Sequence, residues 1–380
     1  MIGETILTNA RVVTRHEAFV GTVVLADGAI AAVDEGQSGL AAAEDLDGEI
    51  LIPGLVELHT DNLERHFTPR PGVLWPSPLS AVMTHDAQIA GAGITTVLDA
   101  ICVGTYRESP ERRHILEASV ETVRKARDED LLRADHFIHL RCEVADPDVV
   151  GMFEPYQDDP LLRLVSVMDH TPGQRQWQDI EQFRRFYRSR RWSEEELDAR
   201  VAGLVEDSER YADTHRRTIV ARCRERGLPL ASHDDTTEAH VAHAVEDGIA
   251  IAEFPTTREA AAAARGSGLR TILGAPNIVR GGSHSGNASA LDLAEDGLVD
   301  ALSSDYVPAS LLHAAFLMAG KAGIAVPDAV ACVTATTAEM AGFHDRGRIE
   351  AGARGDLVRI RMIDDLPVVR AVWRQGRKVL

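Results

Sequence analysis

Residues 50–66 read ILIPGLVELHTDNLERH. This run is apolar apart from Pro53-Gly54 and Glu57, which predicts a buried strand. The strand would deliver His59 and Asp61 two positions apart on one face, where a hard divalent metal could be bound. A core strand that ends in a polar turn gives the same pattern. The pair alone therefore does not establish a metal site, and that hypothesis depends on residues further along the chain.

Length and composition are those of an ordinary globular enzyme. The 380 residues, 44% of them hydrophobic, allow one large barrel or two domains. The net charge of -19 argues against nucleic-acid or membrane-surface binding, since both partners are polyanionic. The four cysteines form no Cys-x-x-Cys pair, and no signal segment or membrane-length apolar run is present. These features predict a cytoplasmic protein with reduced thiols.

The hydrophobic period changes after Pro53-Gly54. Residues 5–33 alternate short β-rich runs with turn signals, which predicts an antiparallel meander. Helical stretches then alternate with short apolar runs, as in parallel strands joined by crossover helices. The eight strand candidates are 55–59, 95–102, 137–144, 162–170, 230–233, 249–254, 271–274 and 301–305. Five of them end near a metal-capable side chain, at the end where barrel active sites are built.

The fold expected from these patterns is a distorted (β/α)8 TIM barrel with a small β-sandwich domain. We expect the barrel over residues 53–346 and the β domain from residues 1–52 plus 347–380, because the C-terminal end returns to β-rich runs. A helical insertion is expected at about 171–228. Its aromatic residues should pack on the barrel, and the insertion could also cap the site. They are Trp177, Phe183, Phe186, Tyr187 and Trp192.

Histidine and carboxylate side chains recur at the predicted strand ends, and such a set suits one or two ions such as Zn²⁺ or Mn²⁺. The candidates are His59, Asp61, Glu143, His170, His233 and Asp305. Glu143 could bridge two ions. Asp305 is the candidate general base, since a carboxylate beside a metal-activated water can take its proton. The alternatives at these positions are structural histidines, a salt bridge and a capping aspartate.

Residues 274–287 read GAPNIVRGGSHSGN and predict an anion-binding loop. Its glycines let backbone amides approach an anion, while Arg280 and His284 add donors and positive charge. A flexible connection is the alternative. The candidate substrate contacts are Asn277, Arg280, Gly282, His284 and Asn287, joined by Asn62 and Glu64 after the first metal motif. A supporting role or a solvated turn is the alternative for the last two.

Several of these motifs together resemble the amidohydrolase superfamily over essentially the full length. They are PGLVELH at 53–59, the strand-end His233, Ser304-Asp305 and GRIEAGARGDLV at 347–358. Residues 59–64, 168–174 and 276–287 look like the branch that releases pyrophosphate from a phosphonate-bearing ribose 5-triphosphate.

The resemblance implies a metal-dependent (β/α)8 barrel with a flanking β-sandwich. It implies a divalent metal cofactor, with Zn²⁺ the first choice and Mn²⁺ or another divalent ion the alternative. The implied partner is a small phosphorylated sugar rather than nucleic acid or membrane, and a homo-oligomer is left open.

Two departures from the superfamily pattern affect the ligand assignment. Asp61 stands where the common pattern has a second histidine, and the sixth strand ends with Glu253 where many members supply a histidine. His170, or otherwise Glu253, could replace that ligand. No lysine ends the third or fourth strand, so Glu143 takes the place of a carboxylated lysine. A C–N hydrolase acting on a cyclic amide or an amidine, and a metal-free scaffold protein, are the competing interpretations.

Overall fold

The computed structural model describes residues 4–104, 111–187, 192–283 and 286–380. The strands within these ranges are β1 (Thr5–Val13), β2 (Ala18–Ala26), β3 (Ala29–Glu35), β4 (Glu44–Asp45), β5 (Ile50–Pro53), β6 (Leu55–Thr60), β7 (Ile94–Val103), β8 (Asp135–Glu143), β9 (Leu162–Met168), β10 (Leu230–His233), β11 (Ile251–Glu253), β12 (Arg270–Gly274), β13 (Ala301–Ser303), β14 (Leu357–Ile363), β15 (Leu366–Arg374) and β16 (Arg377–Lys378).

The α-helices within the same ranges are α1 (Asn62–Phe67), α2 (Pro78–Gly91), α3 (Glu111–Asp128), α4 (Val149–Phe153), α5 (Ile180–Tyr187), α6 (Glu194–Asp207), α7 (Asp213–Glu225), α8 (Glu238–Glu246), α9 (Arg258–Gly266), α10 (Ala275–Arg280), α11 (Ala290–Glu295), α12 (Ser310–Lys321), α13 (Val326–Ala331) and α14 (Ala335–Met340). None of these helices combines the length and apolar character needed to cross a bilayer.

The two ends of the chain form one sheet in the order β16-β15-β14-β5-β1-β2-β3, with β4 beside β1. Strands β1, β2 and β3 are the predicted antiparallel meander. The C-terminal segment rejoins the N-terminal one because β14 pairs antiparallel with β5, with Leu357 opposite Pro53. The sheet bends round its own apolar core, since Ile30 N donates to Ala353 O at 2.8 Å. Trp373 is buried at the centre of that core.

Strands β6 to β13 are all parallel and lie side by side in chain order, as the predicted barrel requires. The first and last of them meet at a bridge between Thr60 and Asp305. Inside the barrel lies an apolar cluster that includes Val56, Leu98 and Ile272, and larger clusters fill the space between the strands and the surrounding helices. The barrel therefore closes at its C-terminal end, where the site is built.

The apolar run that begins at Ile50 contributes one strand to each sheet. The sequence predicts a single strand here, and the structure has two. Strand β5 belongs to the terminal sheet and β6 opens the barrel, with Gly54 between them. A Cβ atom at Gly54 would collide with the side chain of Thr95, which explains glycine at this position. The chain thus passes from one sheet to the other at Pro53-Gly54, where the hydrophobic period of the sequence changes.

The region between β9 and β10 contains helices α5, α6 and α7, and two of its aromatic residues pack against each other. Trp177 and Phe183 meet edge to face at a centroid distance of 5.6 Å and form a small cluster with Leu197. That cluster is separate from the barrel cores because α5 and α6 cover each other's apolar side chains. The side chains of Phe186 and Tyr187 lie outside the described residues. Helix α7 is the part of the insertion that packs on the barrel.

Candidate metal centre and active site

The six predicted metal-ligating residues all lie at the C-terminal mouth of the barrel, at or just beyond the ends of β6, β8, β9, β10 and β13. Three histidines meet there across different strands. The rings of His59 and His233 are stacked with centroids 5.6 Å apart, and those of His170 and His233 are 5.5 Å apart. The strand-end pattern in the sequence therefore brings these side chains together.

Glu253, the last residue of β11, is fully buried and holds two of these histidines. Its Oε1 lies 3.0 Å from His59 Nδ1 and its Oε2 lies 3.2 Å from His233 Nδ1. Ser166 Oγ also donates to Oε2, at 2.5 Å. A carboxylate that accepts from Nδ1–H fixes the ring tautomer and leaves Nε2 available to a cation. His59 Nε2 is indeed buried without a hydrogen-bond partner.

Glu143 contacts the third histidine, His170. Its Oε2 lies 2.6 Å from His170 Nδ1, and its Oε1 accepts from the His170 backbone at 3.0 Å. Both oxygens are therefore engaged. Burial disfavours the charged imidazole, but Glu143 and Asp234 outweigh it and raise the pKa of His170 to about 9.

Asp234 completes a second potential set of ligands. Its Oδ2 lies 3.6 Å from His170 Nε2 and 3.5 Å from His233 Nε2. One donor atom from each of these three residues could hold a cation, because the atoms lie within 4.8 Å of one another. Sequence reasoning did not include Asp234. Its position directly after His233, at a strand end, is the sequence feature that could have identified it as a candidate ligand.

Asp61 and Asp305 bring two carboxylates to the other side of the mouth. Asp61 Oδ1 is buried and has no hydrogen-bond partner. Burial and the charge of Asp61 raise the pKa of Asp305 to about 8. Asp305 has a left-handed backbone with φ of 51°, and Thr60 Oγ1 donates to its carbonyl at 2.6 Å. Because each carboxylate feels the charge of the other, a bound cation would relieve their mutual repulsion.

Glu57 fixes the junction between the first and last barrel strands. Its Oε1 accepts from the backbone of His59 at 2.7 Å, and its Oε2 accepts from the backbone of Ser304 at 2.6 Å. Burial raises the pKa of this carboxyl to about 7. Glu57, the carboxylate that interrupts the apolar run, therefore positions His59 directly and Asp305 through the preceding residue, Ser304.

A cavity of about 100 Å³ connects the carboxylates of the mouth with the predicted anion-binding segment. It is lined by Asp234 and Asp305 on one side and by Asn277, Arg280 and Asn287 on the other. The segment begins as helix α10, which starts directly after β12 and ends at Gly281, a residue with φ of 78°. Gly282 follows and is half-buried, and His284 lies outside the described residues.

Three of the predicted substrate contacts are already engaged in hydrogen bonds within the protein. Asn277 Nδ2 donates to Ala288 O at 3.0 Å, and its Oδ1 accepts from Ala290 N at 3.0 Å, so it holds the segment's shape. Asn62 is 4% exposed and its Nδ2 donates to Gln88 Oε1 at 3.0 Å. Glu64 Oε1 accepts from Cys102 N at 3.0 Å. These contacts favour the supporting role over direct substrate contact.

A buried ionic network lies between the barrel wall and α2, and sequence reasoning missed it. Asp99 contacts His85 Nε2 and His136 Nδ1, each at 2.7 Å. His136 Nε2 lies 3.4 Å from Asp86 Oδ1. Burial disfavours charged His136, but the two aspartates outweigh it and raise its pKa to about 10. The network is connected to the site through Asn62, which lies 3.0 Å from His85.

Comparison with known proteins places these features in a family. The Amidohydrolase family matches residues 191–380. A curated relative, the α-D-ribose 1-methylphosphonate 5-triphosphate diphosphatase of Escherichia coli (strain K12), is 44% identical over 98% of this chain and 100% of its own length.

Solved structures share the fold at lower identity. Dihydropyrimidinase from Brevibacillus agri NCHU1002 has a TM-score of 0.64 at 13% identity, covering 100% of this chain and 95% of that one. N-acetyl-D-glucosamine-6-phosphate deacetylase from Mycobacterium smegmatis has a TM-score of 0.65 at 17% identity, covering 99% of this chain and 100% of that one. The barrel, the terminal sheet and the full-length similarity to the diphosphatase all point to the same family. The chain belongs to the amidohydrolase family.

Proposed function

We propose that this protein hydrolyses α-D-ribose 1-methylphosphonate 5-triphosphate to the corresponding 5-phosphate and pyrophosphate, a step of phosphonate catabolism. The observation that carries this proposal is the 44% identity to the diphosphatase over the full length of that protein. The C–N hydrolases among the solved structures share 13% to 17% identity and support the fold alone.

We propose that one or two divalent ions are held by His59, Asp61, His170, His233 and Asp305. The residues fit a cation because His59 Nε2 and Asp61 Oδ1 are buried without partners. Zn²⁺ is the first candidate, since imidazole nitrogens and carboxylates suit it, and Mn²⁺ is the alternative. Such an ion would acidify a water molecule and offset negative charge on the phosphate. Glu253 and Glu143 orient the histidines.

Asp305 is the proposed general base. Its carboxylate accepts a proton from the water that attacks the α-phosphorus, and the bond to the bridging oxygen breaks as pyrophosphate leaves. A carboxylate beside the proposed ion can take the proton of a water molecule that the ion would acidify. The Thr60 hydrogen bond and the Ser304 junction hold it at the mouth.

The departing end of the triphosphate is proposed to lie against Arg280, Gly282 and Asn287. Arg280 and Asn287 line the cavity that also reaches Asp305, so one ligand could contact both regions. His284 is included in this proposal because it lies in the same segment of the sequence. The local positive charge would also allow a chain with a net charge of -19 to bind a polyanionic substrate.

The direct test uses protein reconstituted with Zn²⁺ or Mn²⁺ and three substrates in parallel. They are ribose 1-methylphosphonate 5-triphosphate, ATP and dihydroorotate. We expect pyrophosphate release that is fastest with the ribose substrate and no ring opening of dihydroorotate. Ring opening without pyrophosphate release would replace this proposal with a C–N hydrolase.

We also propose a cytoplasmic location. Cys142 and Cys223 are buried outside any disulfide, and burial raises the pKa of each thiol. Buried thiols of this kind are inert and are typical of reducing compartments.

A further inference from the structure

Arg141 is a half-buried residue whose guanidinium makes no hydrogen bond within the described part of the chain. Its side chain is 16% exposed, and its Nε is buried without a partner. The ion contact it does make, from Nη1 to Asp61 Oδ2, spans 3.8 Å, which is beyond hydrogen-bond length. A guanidinium has five N–H donors, and a buried donor such as this Nε–H is unfavourable when it is left without an acceptor. This cost favours a ligand that supplies the acceptors.

The strand places Arg141 inside the mouth of the barrel. Side chains alternate along β8, so His139, Arg141 and Glu143 share one face. That face points inward, because the His139 ring lies 4.9 Å from the His59 ring and Glu143 holds His170. Arg141 therefore enters the site on the same face of β8 as Glu143 and lies beside Asp61.

We propose that Arg141 binds the reacting α-phosphate of the substrate and stabilises the charge that develops on its oxygens. This inference rests on the proposed function. A planar guanidinium matches two phosphate oxygens at once, and such contacts act on the transferring group. The contact with Asp61 places Arg141 beside the proposed ligands rather than at the rim.

The barrel separates Arg141 from Arg280. Arg141 lies on β8, the third strand of the barrel, and Arg280 ends the helix that follows β12, the seventh. Strands four apart in an eight-stranded barrel face each other across its axis. The two arginines therefore approach the substrate from opposite sides, with Arg280 on the pyrophosphate side and Arg141 on the α-phosphate.

The kinetic test compares Arg141→Gln, Arg141→Lys and the control Arg270→Gln, which alters a 51% exposed arginine at the far end of β12. We expect Arg141→Gln to lower kcat by roughly 10² to 10³-fold, the usual loss when one transition-state donor is removed. KM should also rise, but by a smaller factor than kcat falls, because the same guanidinium contacts the phosphate of the bound substrate. Arg141→Lys should recover only part of the loss, because a lysine keeps the charge but not the planar fork. Arg270→Gln should match the wild type.

A binding measurement separates this role from a structural one. Calorimetry with ribose 5-phosphate on the metal-loaded protein should show affinity reduced by roughly 10 to 10²-fold in Arg141→Gln. Metal content should be unchanged or higher, because a neighbouring positive charge has been removed. The melting temperature should not fall, since Arg141 makes no hydrogen bond in the described structure.

The outcomes distinguish this inference from the proposed function. Wild-type kcat and ribose 5-phosphate affinity in Arg141→Gln would overturn the role of Arg141 while pyrophosphate release stands. A lowered melting temperature with unchanged binding would assign Arg141 a structural role instead. Absence of pyrophosphate release by the wild type would remove the proposed function, and the binding comparison would still decide whether Arg141 holds a sugar phosphate. If Arg141→Gln does not fold, Arg141→Lys carries the same comparisons.

Discussion

His59 Nδ1 lies 3.0 Å from Glu253 Oε1, and both side chains are buried. Glu253→Gln preserves size but gives one end of the side chain an NH₂ group, so His59 and His233 cannot both keep an acceptor. We expect metal affinity to fall by roughly 10 to 10²-fold, the usual effect of removing a group that orients a ligand. Metal content after dialysis against graded chelator measures it. The control is Glu246→Gln on the exposed end of α8. Equal metal retention in the two variants would contradict the orienting role.

The double variant His59→Ala with Asp61→Ala tests the metal site itself. It removes the two buried atoms that lack partners, so we expect loss of at least one bound ion per chain from elemental analysis. The barrel should remain folded, with an unchanged far-ultraviolet circular dichroism spectrum. Undiminished metal content would show that the ion is held elsewhere.

Asp305→Asn tests the general base. The amide keeps the shape of the side chain but cannot take a proton, so kcat should fall by roughly 10²-fold or more. Steady-state pyrophosphate release measures this change, with metal content determined on the same preparation. Near wild-type turnover at full metal occupancy would assign proton removal to another group.

Arg280→Ala tests the cavity that separates the polyphosphate hypothesis from an amide hydrolase. A charge-assisted hydrogen bond to phosphate is worth about 1.5 to 3 kcal/mol, so kcat/KM should fall by roughly 10 to 10²-fold. Arg270→Ala, at the opposite end of the adjoining strand, is the matched control. Metal content and any weak hydrolysis of a small neutral ester should stay unchanged. Should Arg280→Ala release pyrophosphate like its control, the segment after β12 is only a connection.

The network of Asp86, Asp99 and His136 predicts a pH dependence of stability. The folded-state pKa of His136, about 10, lies above its ordinary value of 6.5. Its contribution is therefore complete below pH 6.5 and is lost as pH rises through about 10. We expect the free energy of unfolding to fall over that interval in the wild type. Denaturant titrations should show a smaller fall in Asp99→Asn than in Asp128→Asn, an exposed control. Parallel curves would exclude the network as the cause.

The sequence predicted most of the architecture because its signals are local. Eight apolar runs between helical stretches predicted the barrel, and a strand-end histidine such as His233 predicted the mouth that the structure shows. The return to β-rich runs near Leu357 predicted the shared terminal sheet. The exact boundaries at 52/53 and 346/347, the proposed ligand set and a homo-oligomer stay predictions.

What the sequence could not supply depends on which side chains meet across strands. The orientation of Glu143 toward His170 arises from the pairing of β8 with β9, and no spacing along the chain encodes it. The sequence indicates Glu253 only as a possible metal ligand, because the two histidines that it contacts come from other strands. Trp177 and Phe183 have helical spacing, yet the fold of the insertion upon itself decides what they contact.

The bridge between Thr60 and Asp305 has a consequence for how the protein is made. These residues are far apart in the chain, and the proposed base reaches its position only when the eighth strand docks beside the first. During synthesis, a ribosome must therefore release more than three-quarters of the polypeptide before any catalytic geometry exists. Chains that end before Asp305 would be inactive, so turnover reports that the eighth strand has joined the first.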